Sequence, residues 1–271
     1  MAISQPTVAN DWERCLNMAC GAFYIPKEKH SKPQGDDAHF ICIEKQTIGV
    51  ADGVGGWTKK GVDAGQYARE LMANSVNTIQ NETRGDVDPR RVLHEAYSYT
   101  NVEGSSTACI LTLKDNHLHV ANVGDSGFLL IREGEDVYQS PIQQHSFNCP
   151  YQLGNSTTCD HPSVAQVFKI AVKPGDVVVV GTDGLFDNMF ANHIEEIAKL
   201  VIQKGAGPEQ VAWTIAEHAY YNSVDGTATT PFTQMSLMAG KEHLGGKVDD
   251  ITTFSMRRVS GLQVALANQK D

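Results

Sequence analysis

The chain has no pair of cysteines at CxxC spacing, although it holds six cysteines, Cys15, Cys20, Cys42, Cys109, Cys149 and Cys159. That absence argues against a zinc knuckle and for reduced thiols in an intracellular setting, with cytosol, plastid and mitochondrion undistinguished. It also lacks any apolar run near the roughly 20 residues of a membrane helix. Residues 1–6 carry neither a basic nor an apolar region, and no signal peptide is visible in them. Basic residues are outnumbered, 22 against 32 acidic ones, giving a net charge of −10. Such a balance repels nucleic acid and anionic membranes as partners. The GxxxxGK[ST], HExxH and GxSxG motifs are missing as well. Without repeats, low-complexity tracts or linkers, one domain is expected over residues 1–271, with its core at about 20–258 and short extensions at both ends.

What is present reads as runs of strands and runs of helices, without strict alternation. Residues 38–51 predict two strands joined by a turn at Glu44-Lys45-Gln46. From Asp63, an apolar face of Ala64, Tyr67, Ala68, Leu71, Met72, Ser75 and Val76 predicts a helix, and a second follows from Pro89 to Tyr97. Residues 107–131 predict three strands, TACILTL, HLHVANV and GFLLI, as an antiparallel meander turning first at Lys114-Asp115-Asn116. QVFKIAV and VVVVGT repeat that style around Lys173-Pro174-Gly175-Asp176. Helices near 192–204 and 207–221, a loop-rich stretch over 222–248 and a last strand, ITTFSM, complete the reading. Segregated runs of this kind indicate α+β, with sheets covered by helices.

Aspartates recur beside the ends of the apolar strands. Asp52 ends TIGVA, Asp125 follows HVANVG and Asp183 follows VVVVGT. Asp36-Asp37 precede AHFICI, and Asp249-Asp250 precede ITTFSM. One such residue is explained by turn chemistry, because Asp-Gly is a common hairpin signal and both Asp52 and Asp183 precede glycine. Five sites together require another account: clustered carboxylates repel and take up protons unless they share cations. All-oxygen ligands without His or Cys pairs suit Mg²⁺ or Mn²⁺. Gly53, lacking a side chain, would let a backbone carbonyl approach such an ion.

The segments GDDAHF (35–40), VADGVGGW (50–57), GSSTACILTL (104–113), VANVGDSG (120–127), GTDGLFDNM (181–189) and GGKVDDITTF (245–254) resemble the ordered motifs of the metal-dependent type 2C serine/threonine protein phosphatases. Within that family the wording is similar to the subgroup with plant and organellar members. The resemblance implies a four-layer αββα sandwich with a two-metal centre at one edge. It also implies that Asp52 bridges both ions, that the Gly53 carbonyl and Asp36 bind one, and that Asp37 stands behind Asp36. Asp183 and Asp249 would hold the other ion, with Asp125 and Asp183 at a weaker third site. Two ions 3.5–4 Å apart (roughly) would then activate a water for attack on phosphoserine or phosphothreonine proteins.

Three positions depart from the pattern. Val54 stands where many members carry a histidine acid, leaving the general acid unassigned, and His30 is the nearest histidine to a motif. Lys32 stands near the usual phosphate-gripping arginine, either as a point-charge anchor or as a solvated lysine of the basic stretch 27–32. Asp250 falls where many members have Asn. Two other functions compete: a phosphatase fold that binds without turnover, and a serine hydrolase suggested by Gly124-Asp125-Ser126-Gly127. Asp187 could lie near the metals or cap a helix.

Overall fold

Period-two alternation in the strands determines the layers. Along β3 (Thr47–Asp52), Ile48 and Val50 point one way and Ala51 the other; along β4 (Ala108–Lys114), Cys109 and Leu111 oppose Ala108 and Ile110. In the computed structural model, which describes residues 16–27, 34–82, 86–135 and 137–260, this alternation builds two antiparallel five-stranded sheets packed face to face.

The first sheet runs β1 (Leu16–Ile25), β10 (Ile251–Ser260), β9 (Val177–Gly181), β6 (Gly127–Ile131) and β7 (Tyr138–Gln139). The second runs β8 (Gln166–Ala171), β5 (His117–Val123), β4, β3 and β2 (Asp37–Cys42). Between them lie Ile48, Val50, Leu111, Val120, Phe128, Val178, Val180 and Phe254. Each such side chain contributes on the order of 1.5–3 kcal/mol on burial.

The outer faces are covered by helices. On the second sheet lie α1 (Ala64–Gln80) and α2 (Pro89–Tyr99), which bury Tyr67, Leu71, Met72 and Leu93 against Ile110, Ala121 and Val123. Asp63 and Asp88 cap them by accepting from Gly65 N (3.2 Å) and Arg90 N (3.0 Å). On the first sheet, α3 (Asp183–Phe186), α4 (Ala191–Gln203) and α5 (Pro208–Val224) bury Leu185, Ile194, Val211 and Ile215 against Leu129, Val177 and Val179. The αββα sandwich is as expected.

Three local readings change. The third strand of the expected meander, GFLLI, leaves its neighbours: β5 lies in one sheet and β6 in the other. Gly124, at φ +100°, makes that crossing, where a Cβ would stand 2.7 Å from the Tyr151 carbonyl oxygen. The Lys173–Asp176 turn likewise joins strands of different sheets and makes no hairpin. The stretch read as loop holds α6 (Pro231–Met238), entered through a Thr230–Thr233 capping box with Pro231 in its first turn. Strand β1, not anticipated, pairs with β10 along its whole length.

Candidate metal centre

Five chain segments bring their acidic ends to one edge of the sandwich. Asp37 at the start of β2 faces Asp52 at the end of β3 in the register. Gly127, which opens β6 just after Asp125, pairs with Gly181 at the end of β9, and Thr182-Asp183 follow. Gly181 also pairs with Thr253 of β10, whose start follows Asp249-Asp250. Neither Asp-Gly pair is a hairpin turn: Gly53 continues into a bridge with Ser106, and Asp183 opens α3.

Backbone and hydroxyl contacts hold the edge together. Gly53 N donates to the Asp36 carbonyl (3.1 Å), and Asp52 N donates to Thr107 Oγ1 (3.0 Å). Thr107 Oγ1 shares a 2.7 Å hydrogen bond with Ser126 Oγ. That buried contact places Ser126 in the scaffold, at 2% exposure, and removes the hydrolase reading of Gly124–Gly127. At Gly53 a Cβ would sit 2.2 Å from the Ala64 carbonyl oxygen and 2.6 Å from that of Asp36, so only glycine lets α1 begin this close to the cluster.

The aspartates divide by what satisfies them. Asp250 is engaged in structure: its Oδ1 accepts from Tyr24 Oη and Lys27 N, both at 2.9 Å, and its Oδ2 from Asp36 N at 3.1 Å. Asp37 Oδ2 accepts from Thr182 Oγ1 (2.8 Å) and Thr252 Oγ1 (2.7 Å), while its Oδ1 is buried without a donor among the described residues. The same holds for Asp125 Oδ1 and Asp183 Oδ1. Leaving a carboxylate oxygen buried without a donor costs more than leaving a neutral acceptor so, because the charge loses its hydration.

Two lysines reach the cluster among the described residues. Lys27 Nζ lies 2.9 Å from Asp249 Oδ1. Lys247 Nζ lies against Asp183 Oδ2, 2.7 Å from Asp187 Oδ2 and 3.3 Å from Asp249 Oδ2. Asp187 therefore belongs to the cluster, the choice the sequence left open. Lys247 gave no separate signal in the sequence, because a lysine two residues before Asp249 looks like any solvated loop lysine. Lys32 and His30 lie outside the described residues.

Mutual repulsion is written into the proton affinities. Burial, then Asp183, Asp37, Asp249 and Asp125, holds the Asp52 carboxyl well above the usual carboxylate range. Burial, with Asp250 next, does the same at Asp37 against the opposing pull of the two threonine hydroxyls. Asp125 is pushed up by burial and by Asp183 and Asp187. Asp187 is pushed up to about 7, burial outweighing Lys247. Asp249 goes the other way: burial opposes its charge, but Lys247 and Lys27 prevail and hold it below the usual carboxylate range. Lys247 mirrors this, since burial disfavours its charge and Asp183, Asp187 and Asp249 raise it well above the ordinary lysine value.

As the side chains stand, no three acidic, histidine or cysteine groups among the described residues form a finished coordination shell. The donor chemistry nonetheless suits hard divalent cations: oxygen atoms only, several carboxylates within Coulomb reach of one another, and buried oxygens that no donor among the described residues serves.

Comparison with known proteins places this edge in context. A family profile described as stage II sporulation protein E (SpoIIE) matches residues 44–225. The chain is 49% identical over 237 residues to the probable protein phosphatase 2C 55 of Arabidopsis thaliana, covering 88% of this chain and 51% of that protein. It is 39% identical over 237 residues to the protein phosphatase PTC7 homolog of Danio rerio, covering 81% of this chain and 80% of the relative. The X-ray structure of the photosystem II phosphatase PBCP superimposes with a TM-score of 0.83 at 31% identity, over 90% of this chain and 99% of that one. Fold and sequence together define the architecture of the protein phosphatase 2C class. The chain belongs to the protein phosphatase 2C family, in the branch that the SpoIIE profile describes. It spans about half the length of the Arabidopsis relative.

Proposed function

We propose that this chain is a Mg²⁺- or Mn²⁺-dependent protein phosphatase acting on phosphoserine and phosphothreonine of phosphoproteins. The observation that carries the reading is the carboxylate cluster itself: aspartates from five segments converge on one edge, and several of their oxygens are buried with no donor among the described residues. Asp52, with the Gly53 carbonyl and Asp36, would hold one ion, and Asp52, Asp183 and Asp249 the second. Asp37 steadies the first group, anchored by Thr182 and Thr252. Asp125 with Asp183 would supply a weaker third site. Two divalent cations bound there supply an activated water and neutralise charge on the phosphoryl oxygens.

The remaining work falls to the protein. The sheets fix the carboxylates, so little reorganisation is needed as charge develops on the phosphoryl group. Val54 carries no proton to give, and the leaving alkoxide must take its proton from elsewhere. The thiols of Cys20, Cys42, Cys109, Cys149 and Cys159 are unpaired, which supports an intracellular setting. No helix among the described residues is long and apolar enough to cross a membrane.

Hydrolysis of a phosphothreonine peptide tests this, run with Mn²⁺, with Mg²⁺ and with chelator. Turnover that requires metal supports the phosphatase. A folded chain that binds Mn²⁺ but turns nothing over would leave a binding module, and chelator-resistant turnover would overturn the site.

A further inference from the structure

Lys247 is held in place with unusual thoroughness for a loop lysine. The Asn188 side chain grips its backbone from both sides: Asn188 Oδ1 accepts from Lys247 N (2.9 Å), and Asn188 Nδ2 donates to the Lys247 carbonyl (2.8 Å). The same Nδ2 also donates to the Gly184 carbonyl (2.9 Å), tying the clamp to α3 beside Asp183. Asn222 Nδ2 in turn donates to the Asn188 carbonyl (2.9 Å), so α5 braces the arrangement. Asn188 itself is 1% exposed. The Lys247 Nζ stands over the Phe232 ring, 5.2 Å from its centroid, and the side chain is 15% exposed. The ammonium is thus delivered to Asp183, Asp187 and Asp249 by a built support, while four side-chain torsions leave the head group free to relocate.

Asp183 and Asp249 are also the residues to which the proposed function gives the second ion. A carboxylate oxygen that donates its lone pairs to an ammonium has less to offer a divalent cation at the same point, and two positive charges within a few ångströms repel. We propose that Lys247 is an internal counter-ion for this half of the centre, and that a divalent cation binds there by displacing its ammonium from Asp183 and Asp249. The inference rests on the two-metal reading and adds to it a residue that sets the affinity of one site. Lys247 keeps the aspartates from repelling before the ion arrives and weakens the second site relative to the first. It is a positioning residue, acting through Asp183 and Asp249.

Calorimetric titration with Mn²⁺ tests this on the native chain and on Lys247→Met and Lys247→Arg. Of the two principal sites, the native chain is expected to show one tighter and one weaker, with the third site weaker still. Losing a charge-assisted competitor should tighten the weaker site in Lys247→Met by about tenfold or more, with the tighter site changed far less. Lys247→Arg keeps the competing charge and should stay near the native values. A lysine that serves only to hold the loop would loosen metal binding when removed, so the direction of change discriminates.

A second measurement uses native sequence and avoids any folding defect of the variants. The lysines are reductively methylated with ¹³C-formaldehyde, and the Lys247 methyl resonance, assigned by its loss in Lys247→Arg, is followed as diamagnetic Mg²⁺ is added. A resonance that moves in step with the weaker site supports displacement. Equal or weaker Mn²⁺ binding in Lys247→Met, or a Lys247 signal indifferent to saturating Mg²⁺, overturns the proposal while leaving the metal centre standing. Absence of any Mn²⁺ binding in native chain and variants overturns the metal reading and this inference together.

Discussion

Strands β6 and β9 lie side by side, and their two ends carry the same residue type in opposite conditions. At one end Asp176, just before β9, accepts from Nε and Nη2 of Arg132, just after β6, at 2.9 and 2.7 Å. Lys173 N donates to it as well, at 2.7 Å, and Arg132 also donates to the Ala171 carbonyl. At the other end Asp125 and Asp183 meet no arginine, and each keeps a buried oxygen without a donor among the described residues. A buried aspartate with a bidentate guanidinium is a structural tie. An aspartate such as Asp125, whose proton affinity is pushed up by burial and then by Asp183 and Asp187, belongs to a site that expects cations from outside. Position at a strand end is shared, so only the partners tell the two apart.

The comparison is broken most forcefully by exchanging charge at each end. Asp183→Asn should lower metal-dependent turnover by about a thousandfold, since several kcal/mol of transition-state stabilisation runs through the cations and each 1.4 kcal/mol is tenfold. Its metal-free melting temperature should not fall, because a source of repulsion is removed. Asp176→Ala should do the reverse. Breaking the Arg132 tie should cost about 2 kcal/mol in denaturant unfolding, below the 3–5 kcal/mol of a fully buried pair because the guanidinium keeps some water. Its Mn²⁺ affinity should match the native chain. A large activity loss in Asp176→Ala at preserved fold would erase the distinction between the ends.

Smaller changes sharpen it. Thr252→Val removes one of the two hydroxyl donors to Asp37 Oδ2 and should cost about 1 kcal/mol of stability, read from the denaturation midpoint. The smallest effect lies in pH. Asp187 has its proton affinity raised on folding to about 7. An acid raised in this way takes up protons as the chain folds, so its contribution to stability is full at low pH and is lost as pH rises through about 7. With chelator present, the native chain should lose more melting temperature than Asp187→Asn between pH 5 and pH 8 (roughly that window). Equal slopes for the two proteins would show that Asp187 is not coupled to the cluster.

Much of this was legible in the sequence where the signal is local. The α1 face from Ala64 to Ser75 is buried as its spacing required, and the aspartates beside strand ends do converge. The resemblance supplied the sandwich. What local pattern does not carry is pairing between distant segments. Strand β1 has small residues, Ala19, Cys20, Gly21 and Ala22, that show no alternation, and its partner β10 lies more than two hundred residues away. The crossing of β6 to the other sheet depends on the backbone at Gly124. α6 is short, and its capping box uses Thr233 where Glu or Gln is the usual sign. Lys247 escaped for a related reason: its meaning comes from Asn188, Asp183 and Asp187, about sixty residues earlier in the chain.

Anomalous diffraction from crystals grown with Mn²⁺ tests the central claim most directly. Strong peaks are expected at about 2–2.3 Å from oxygens of Asp52, the Gly53 carbonyl, Asp183 and Asp249, with none beside Asp176. A map with no peak at this edge, from protein saturated with Mn²⁺, would contradict the account.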